Sequence, residues 1–477
     1  FYRLTAESLW YDEAYSVWSS AMDIASPRIL WEWQIEFPLY YWLLHIWMRL
    51  FGQGEFAVRA FGALASAASI TPMYYLAKRL FGPTTGEIAA FLLAINPYHV
   101  WYAQDVRMYP WALLFVTVSL LAFWRVAQGG DWGWRLVYVL ATGLTFHLHY
   151  YIGWLVLAEN VFVLVALWRE HGNPFCRAAW LKLRFWLAAQ LGVAALAAPA
   201  AAVFLTKAVT LNQWDWLAQR YGAPGPRDVI ALFLSYTVGT LFPATSSVRW
   251  AVLALFGGLA AWGVWWALGR VRRHETPGGA LGFTLLALIL PLFACFALGQ
   301  RYSVWVTRYL ILFLPLYLIL VAQGVVSLAP EGAPPSWQRV ASRMLALLLA
   351  ALVSAYALWA MYTTPQKEDW RGVTAHIAAR AAPDDLIVLM DEECRVPWDY
   401  YYGSGGRRIG VSRFADDAGL DRALAEIQQQ QRGRYLWLVV SHADSADLEQ
   451  RLATLPNLSP VESPSFIGVK LVVYRWR

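Results

Sequence analysis

The chain has 477 residues, of which 59% are hydrophobic and only 15% charged, with a mean hydropathy of +0.41. Soluble domains carry about 25% charged residues, so these values exclude an ordinary soluble protein and indicate a polytopic membrane protein. The net charge of +6 is modest, and no basic tail or stripe points to nucleic acid.

The chain opens at Phe1 without a methionine and shows no cleavable signal peptide; a first transmembrane helix is expected to precede it and to end near Phe1-Tyr2-Arg3-Leu4. Trp10-Tyr-Asp-Glu-Ala-Tyr-Ser16 then places two adjacent carboxylates among aromatics, in a first outward loop. Pro38 to Phe51 is too short to cross a bilayer and carries His45 and Arg49, which predicts an interfacial helix. Ten apolar runs of spanning length follow, near 56–78, 86–102, 109–127, 134–150, 152–168, 184–205, 249–268, 280–298, 307–327 and 343–361. Asp228 to Phe242 is short, with polar residues interspersed, and is read as a second interfacial helix.

With those two segments lying on the surface, Lys78-Arg79, Arg125 with Arg135, Arg169 through Arg184, Arg270 to Arg273, and Arg339 with Arg343 all fall on one side. The positive-inside rule makes that side cytoplasmic. Asp12-Glu13, Gln104 to Arg107, His147 to His149 and the surroundings of Arg301 then face outward. From about Thr364 strands alternate with helices: helices over Trp370–Ala382, Leu420–Gln431 and Ser445–Leu455, strands over Asp385–Met390, Tyr435–Val440 and Gly468–Tyr474. Residues 1–363 are thus expected to form the membrane domain, about ten to eleven transmembrane helices in all, and 364–477 a small extracytoplasmic α/β domain.

The 28 tryptophans suit interfacial belts and aromatic-lined cavities. Cys176, Cys295 and Cys394 are far apart and show neither a disulfide framework nor a Cys-x-x-Cys metal spacing. Four outward polar groups are candidates for chemistry: Asp12-Glu13; Glu36; Gln104-Asp105-Val106-Arg107-Met108-Tyr109; and His147 and His149 with Arg301 and Arg308. Simpler readings stay open, with Asp105 pairing Arg107 at a helix end, His149 as a hydrogen-bonded interfacial histidine, and Arg301 and Arg308 snorkelling to headgroups. Carboxylates, imidazoles and arginines at one membrane face suit a substrate that is half lipid and half polar, such as a lipid-phosphate sugar. Its transfer needs a carboxylate to take a proton from the acceptor and cations to meet the departing phosphate. Asp12 is the expected base, with Glu13 and Asp105 orienting the acceptor or holding a cation. Arg308, then Arg301, is expected at the leaving phosphate, since a guanidinium binds it bidentately.

Leu9-Trp-Tyr-Asp-Glu-Ala-Tyr15, Pro38-Leu-Tyr-Tyr41, Phe56-Ala-Val-Arg59 before a small-residue span, and Trp101-Tyr-Ala-Gln-Asp-Val-Arg-Met-Tyr109 resemble the GT-C glycosyltransferases of family-39 type. These include the bacterial relatives of protein O-mannosyltransferase and the lipid A aminoarabinose transferase. His149-Tyr-Tyr151, Arg308-Tyr-Leu310 with Pro315, and Trp370-Arg-Gly372 ahead of Asp384-Asp385 also match. The resemblance covers most of the chain. It implies a polyprenyl-phosphate sugar donor, an extracytoplasmic site in the plasma (inner) membrane, inversion at the anomeric carbon, and a catalytic carboxylate from the loop of Asp12 supported by Asp105. Arg107 joins Arg308 and Arg301 as a candidate for the donor phosphate. Glu36, Tyr40, Gln104, Tyr109, His147, His149 and Tyr150 are candidate substrate contacts. Relatives differ in metal dependence, so a divalent cation at Asp12, Glu13, Asp105 or His149 stays open. Relatives often have a histidine near the position of Glu36, a departure that bears on acceptor or cation contacts.

The expected partners are the lipid-linked sugar, membrane lipid, and a glycan, lipid or protein acceptor, with the protein a monomer. The rival reading is a transporter or flippase of lipid-linked saccharides. A transporter is expected to carry polar or broken helices near the midplane, often in two related halves; here the charges gather at one face and no second half mirrors the first.

Overall fold

The computed structural model describes residues 1–22, 38–210, 222–240, 246–273, 279–330 and 336–477. They divide into two compact units, one drawn from Phe1–Ser26, Leu44–Arg59 and Thr364–Arg477, the other from Pro27–Leu43 and Ala60–Thr363.

The second unit is helical. After α1 (Tyr11–Ala21) and α2 (Pro38–Phe51), the chain forms α3 (Glu55–Phe81), α4 (Pro83–Ile95), α5 (Pro97–Ala103), α6 (Tyr109–Ala127), α7 (Trp132–Phe146), α8 (Ile152–His171) and α9 (Arg177–Thr210). It continues with α10 (Pro226–Val238), α11 (Ser246–Arg272), α12 (Gly279–Gly299), a 3-10 segment Thr307–Phe313, α13 (Leu314–Ser327) and α14 (Trp337–Thr363). Among the described residues eight helices are long and apolar enough to cross a membrane: α3, α6, α8, α9, α11, α12, the stretch Thr307–Ser327 and α14.

Two expected spans differ in detail. The run expected over 86–102 is two helices, because Pro97 lacks an N–H and biases Asn96 away from helical geometry. Asn96 then caps α5, accepting from the His99 N–H at 2.9 Å, while its Nδ2 donates to the Tyr236 carbonyl at 2.7 Å. The run expected over 134–150 stops at Phe146, so His147 to Tyr151 form a connection between α7 and α8. The stretch Thr307–Ser327 is buried throughout its apolar window. Glycines let α11 lie directly against α13: a Cβ on Gly324 would fall 1.9 Å from the Leu259 carbonyl oxygen, and one on Gly263 would fall 2.6 Å from the Gly324 nitrogen. Small residues permit this kind of close helix contact in membranes.

The first unit is built on a sheet. Its elements are α15 (Trp370–Ala378), β1 (Leu386–Met390), α16 (Arg395–Tyr401), β2 (Arg407–Val411), α17 (Asp417–Gln429), β3 (Tyr435–Val440), α18 (Ala446–Ala453), β4 (Leu458–Glu462), β5 (Ser465–Phe466) and β6 (Val469–Trp476). The strand order is β2-β1-β3-β6-β4, with β5 also on β6. The first three strands are parallel and β6 runs antiparallel to β3. Period-two alternation sends Leu386, Val388 and Met390 to the face covered by α17 and α18, and Ile387 and Leu389 to the face covered by α15 and Trp398 of α16. The strands β2, β4 and β5 and the helix α16 were not apparent from sequence, being short or rich in charge, glycine and proline. α1 also packs in this unit, against α16.

Candidate functional site

Asp12 and Glu13 stand in the first turn of α1, so the expected loop is helical from Tyr11 onward. Adjacent residues on a helix point about 100° apart, and the pair divides accordingly. Asp12 is half-buried, whereas Glu13 is fully buried. Arg59, from the first turn of α3, grips Glu13 with both arms of its guanidinium: Nε donates to Oε1 at 2.9 Å and Nη2 to Oε2 at 2.6 Å. Lys367 Nζ adds an ion pair to Oε1 at 2.9 Å.

The other Arg59 donors go to the carbonyls of Leu4 at 2.6 Å, Glu7 at 2.7 Å and Ser8 at 2.9 Å. All five guanidinium N–H groups therefore have acceptors, which is what a buried arginine requires. Burial by itself would raise the Glu13 carboxyl, but Arg59 and then Lys367 outweigh it and hold the group down at about 2. Glu13 is thus an ionised structural anchor. The sequence reading left Arg59 and Lys367 without a role; an arginine inside a predicted span was the available signal, since such a charge needs a partner.

The helix start is fastened by further contacts within the same unit. The Leu9 N–H donates to Tyr401 Oη at 2.6 Å, and Tyr401 donates to Glu55 at 2.5 Å. Tyr11 donates its hydroxyl to Glu393 at 3.1 Å. Burial first, and carboxylate neighbours next, push both phenols well above their usual range, so they stay protonated and act as donors.

The helical unit gathers a second group of predicted residues. Asp105 and Arg107 are buried in the turn between α5 and α6. α3 packs closely on that turn, where a Cβ on Gly62 would lie 3.2 Å from the Asp105 carbonyl oxygen. Gln104 donates to the Tyr362 hydroxyl. The ring of Tyr109 lies 6.3 Å from His149 and 6.4 Å from Tyr309; His149 lies 5.1 Å from Tyr309 and 5.5 Å from Tyr150.

Arg308 stacks over Tyr309 at 5.5 Å. The segment that carries them is held by three tyrosines: Tyr98 donates to the Thr307 carbonyl at 2.7 Å, Tyr151 to that of Val304 and Tyr236 to that of Leu310. His149 accepts the Tyr151 N–H on Nδ1 at 3.3 Å, so its proton sits on Nε2. Burial, and then the nearby Arg308 charge, push this imidazole toward its neutral form.

Other predicted residues stand apart. Arg301 is exposed beyond the end of α12. His147 is turned to the Leu196 carbonyl at 2.7 Å. Tyr40 is buried against Tyr41 and Phe61, and Glu36 lies outside the described residues. Among the described residues no group of three or more His, Cys, Asp and Glu side chains gathers as a metal set. The sequence reading also gave no role to a buried acidic residue of the helical unit. Glu159, buried within α8, accepts from Tyr138 at 2.7 Å, and Gln190 donates to the same tyrosine at 2.9 Å, linking α7, α8 and α9.

Residues 36–200 match the family model of dolichyl-phosphate-mannose-protein mannosyltransferases. An undecaprenyl phosphate-α-4-amino-4-deoxy-L-arabinose arabinosyl transferase of Pseudomonas aeruginosa is 31% identical over 188 residues, 35% of this chain and 33% of that protein. The matched part is therefore a third of that relative's length. ArnT from Cupriavidus metallidurans, in a crystal structure with undecaprenyl phosphate bound, superposes with a TM-score of 0.60 at 15% identity, covering 98% of this chain and 95% of the other.

The chain has a GT-C fold.

The oligosaccharyltransferase of Archaeoglobus fulgidus superposes with a TM-score of 0.51 at 14% identity, over 84% of this chain and 60% of that one. The sequence resemblance to GT-C proteins and the polytopic helical architecture with a small C-terminal α/β region are both met in the fold.

Proposed function

We propose that the protein is an integral-membrane glycosyltransferase of the plasma membrane, which moves a sugar from a polyprenyl-phosphate donor to an acceptor on the extracytoplasmic face. The observation that carries the reading is the division of the carboxylate pair in a chain of GT-C fold. Glu13 is buried between Arg59 and Lys367, while Asp12 beside it keeps access to solvent. Asp12 is accordingly the base. It takes the proton from the acceptor hydroxyl or amine as that atom attacks the anomeric carbon from the face opposite the phosphate. The bond from the anomeric carbon to the phosphate oxygen breaks, polyprenyl phosphate leaves, and the configuration inverts.

Arg308, stacked on Tyr309 and held in a tyrosine-fastened segment, is the residue proposed to meet the leaving phosphate, where a fixed guanidinium favours the charge that develops. Asp105 is proposed to support the acceptor, with His149 and Tyr109 as substrate contacts.

The test is transfer by purified Asp12→Asn enzyme. Activity should fall to background while the thermal unfolding temperature stays at the wild-type value. A folded Asp12→Asn variant with normal transfer would remove Asp12 as base. Mass spectrometry of lipid co-purified with the wild-type protein should show a polyprenyl-phosphate sugar and thereby name the donor.

A further inference from the structure

The first N–H groups of a helix have no partner inside it and are usually capped by a side chain close in sequence. In α1 the Tyr11 N–H is capped from the far end of the chain, by Glu368 Oε2 at 3.2 Å. Glu368 is itself buried and firmly held. Trp370 Nε1 donates to Oε2 at 2.6 Å, and His442 Nε2 pairs with Oε1. The Glu368 carbonyl accepts from Ser8 Oγ at 2.5 Å, and His442 meets the Tyr11 ring edge-on at 5.9 Å.

The turn between β5 and β6 is shaped to receive this residue. Gly468 has φ +66°, and a Cβ there would lie 2.8 Å from Glu368 Cγ. The neighbouring Asp369 N–H donates to the Ile467 carbonyl at 2.8 Å. Lys367, one residue earlier, makes the ion pair with Glu13. Two consecutive residues at the entrance to the sheet thus hold the residue before Asp12 by its backbone and the residue after it by its side chain.

We propose that Lys367 and Glu368 are positioning residues that set the placement of Asp12, which makes the small α/β region part of the catalytic apparatus. The inference rests on the reading of Asp12 as base. A general base acts only within hydrogen-bond reach of the proton it takes, and a misplacement of about 1 Å costs on the order of a hundredfold in rate. A carboxylate at the N-terminal end of α1 also suits the helix dipole, and so fixes the direction in which the first turn presents Asp12.

The experiment compares Glu368→Ala, Glu368→Gln and Lys367→Met with wild type and Asp12→Asn, all as the full chain. Transfer is followed with undecaprenyl-phosphate mannose and undecaprenyl-phosphate aminoarabinose as parallel donors and a total membrane lipid extract as acceptor. Deuterium exchange of the peptide 9–16 is measured on the same proteins.

Glu368→Ala should lower kcat by roughly ten- to a hundredfold with donor KM within about twofold, and should speed exchange in 9–16. Glu368→Gln keeps an acceptor for the Tyr11 N–H and should recover most of both. A Glu368→Ala enzyme with wild-type kcat, beside an inactive Asp12→Asn enzyme, overturns the positioning role and leaves the base in place. An active Asp12→Asn enzyme removes the base instead; exchange in 9–16 unchanged by Glu368→Ala would then remove the structural tether as well.

Discussion

Replacing Glu13 by glutamine keeps the shape of the side chain but removes the anion from between Arg59 and Lys367. Both cations lie in contact with a residue that has no exposed surface. In the wild type the carboxyl is held at about 2 against an ordinary value of 4.5. A group depressed on folding contributes stability that is present above its unfolded value and lost as pH falls through the folded one. The contribution is therefore complete above about pH 4.5, declines toward about pH 2, and amounts to about 3 kcal/mol. Glu13→Gln should forfeit it at neutral pH, because two buried cations lose their counter-charge; removing one partner of such a pair costs about 3–5 kcal/mol.

The assay is thermal unfolding in detergent from pH 7 to pH 3. The variant should unfold roughly 3–5 °C lower at pH 7 and lose the acid-dependent fall that the wild type shows below pH 4.5. Adding Lys367→Met should recover roughly 1–3 kcal/mol, since it removes one of the two uncompensated charges. A Glu13→Gln protein with the wild-type unfolding temperature and the wild-type acid profile would refute the assignment of Glu13 as an ionised anchor. The contrast with Asp12→Asn is the informative part. Glu13→Gln should lower the unfolding temperature, whereas Asp12→Asn should abolish transfer with the unfolding temperature unchanged.

Arg308→Ala should weaken undecaprenyl phosphate binding about tenfold or more, the worth of a charge-assisted hydrogen bond; unchanged affinity in a direct binding titration would take Arg308 out of the phosphate site. Transfer should persist in chelator, because Glu13 is already bound to two cations and leaves Asp12 without its neighbour to hold an ion. Loss of activity in chelator, restored by adding back Mg²⁺ or Mn²⁺, would show that a divalent cation takes part.

Much of the architecture was legible because the bilayer imposes a length on apolar runs. The helix Pro38–Phe51 has the limits its pattern predicts, and β3 does as well. The break at Asn96-Pro97 was written in the sequence as a proline signal, but the apolar run on either side concealed it. The strand Arg407–Val411 was hidden for another reason: its register against β1, not its own composition, makes it a strand. Of the candidate residues, Asp105, Arg107, Tyr109, His149 and Arg308 were visible as polar groups at the ends of spans. Tyr98, Tyr151 and Tyr236 hold the Arg308 segment through its carbonyls, a role that no local sequence pattern marks.

By itself the sequence determined that this chain carries many apolar helices of membrane-spanning length and that an alternating α/β segment follows. Hydrophobic length and charge asymmetry are local properties, and they add along the chain. Only tertiary structure decided what Asp12 and Glu13 are to one another. Two adjacent carboxylates are alike in sequence, and the difference between them comes from Arg59 and Lys367, residues distant along the chain that enclose Glu13 completely while Asp12 stays half-buried.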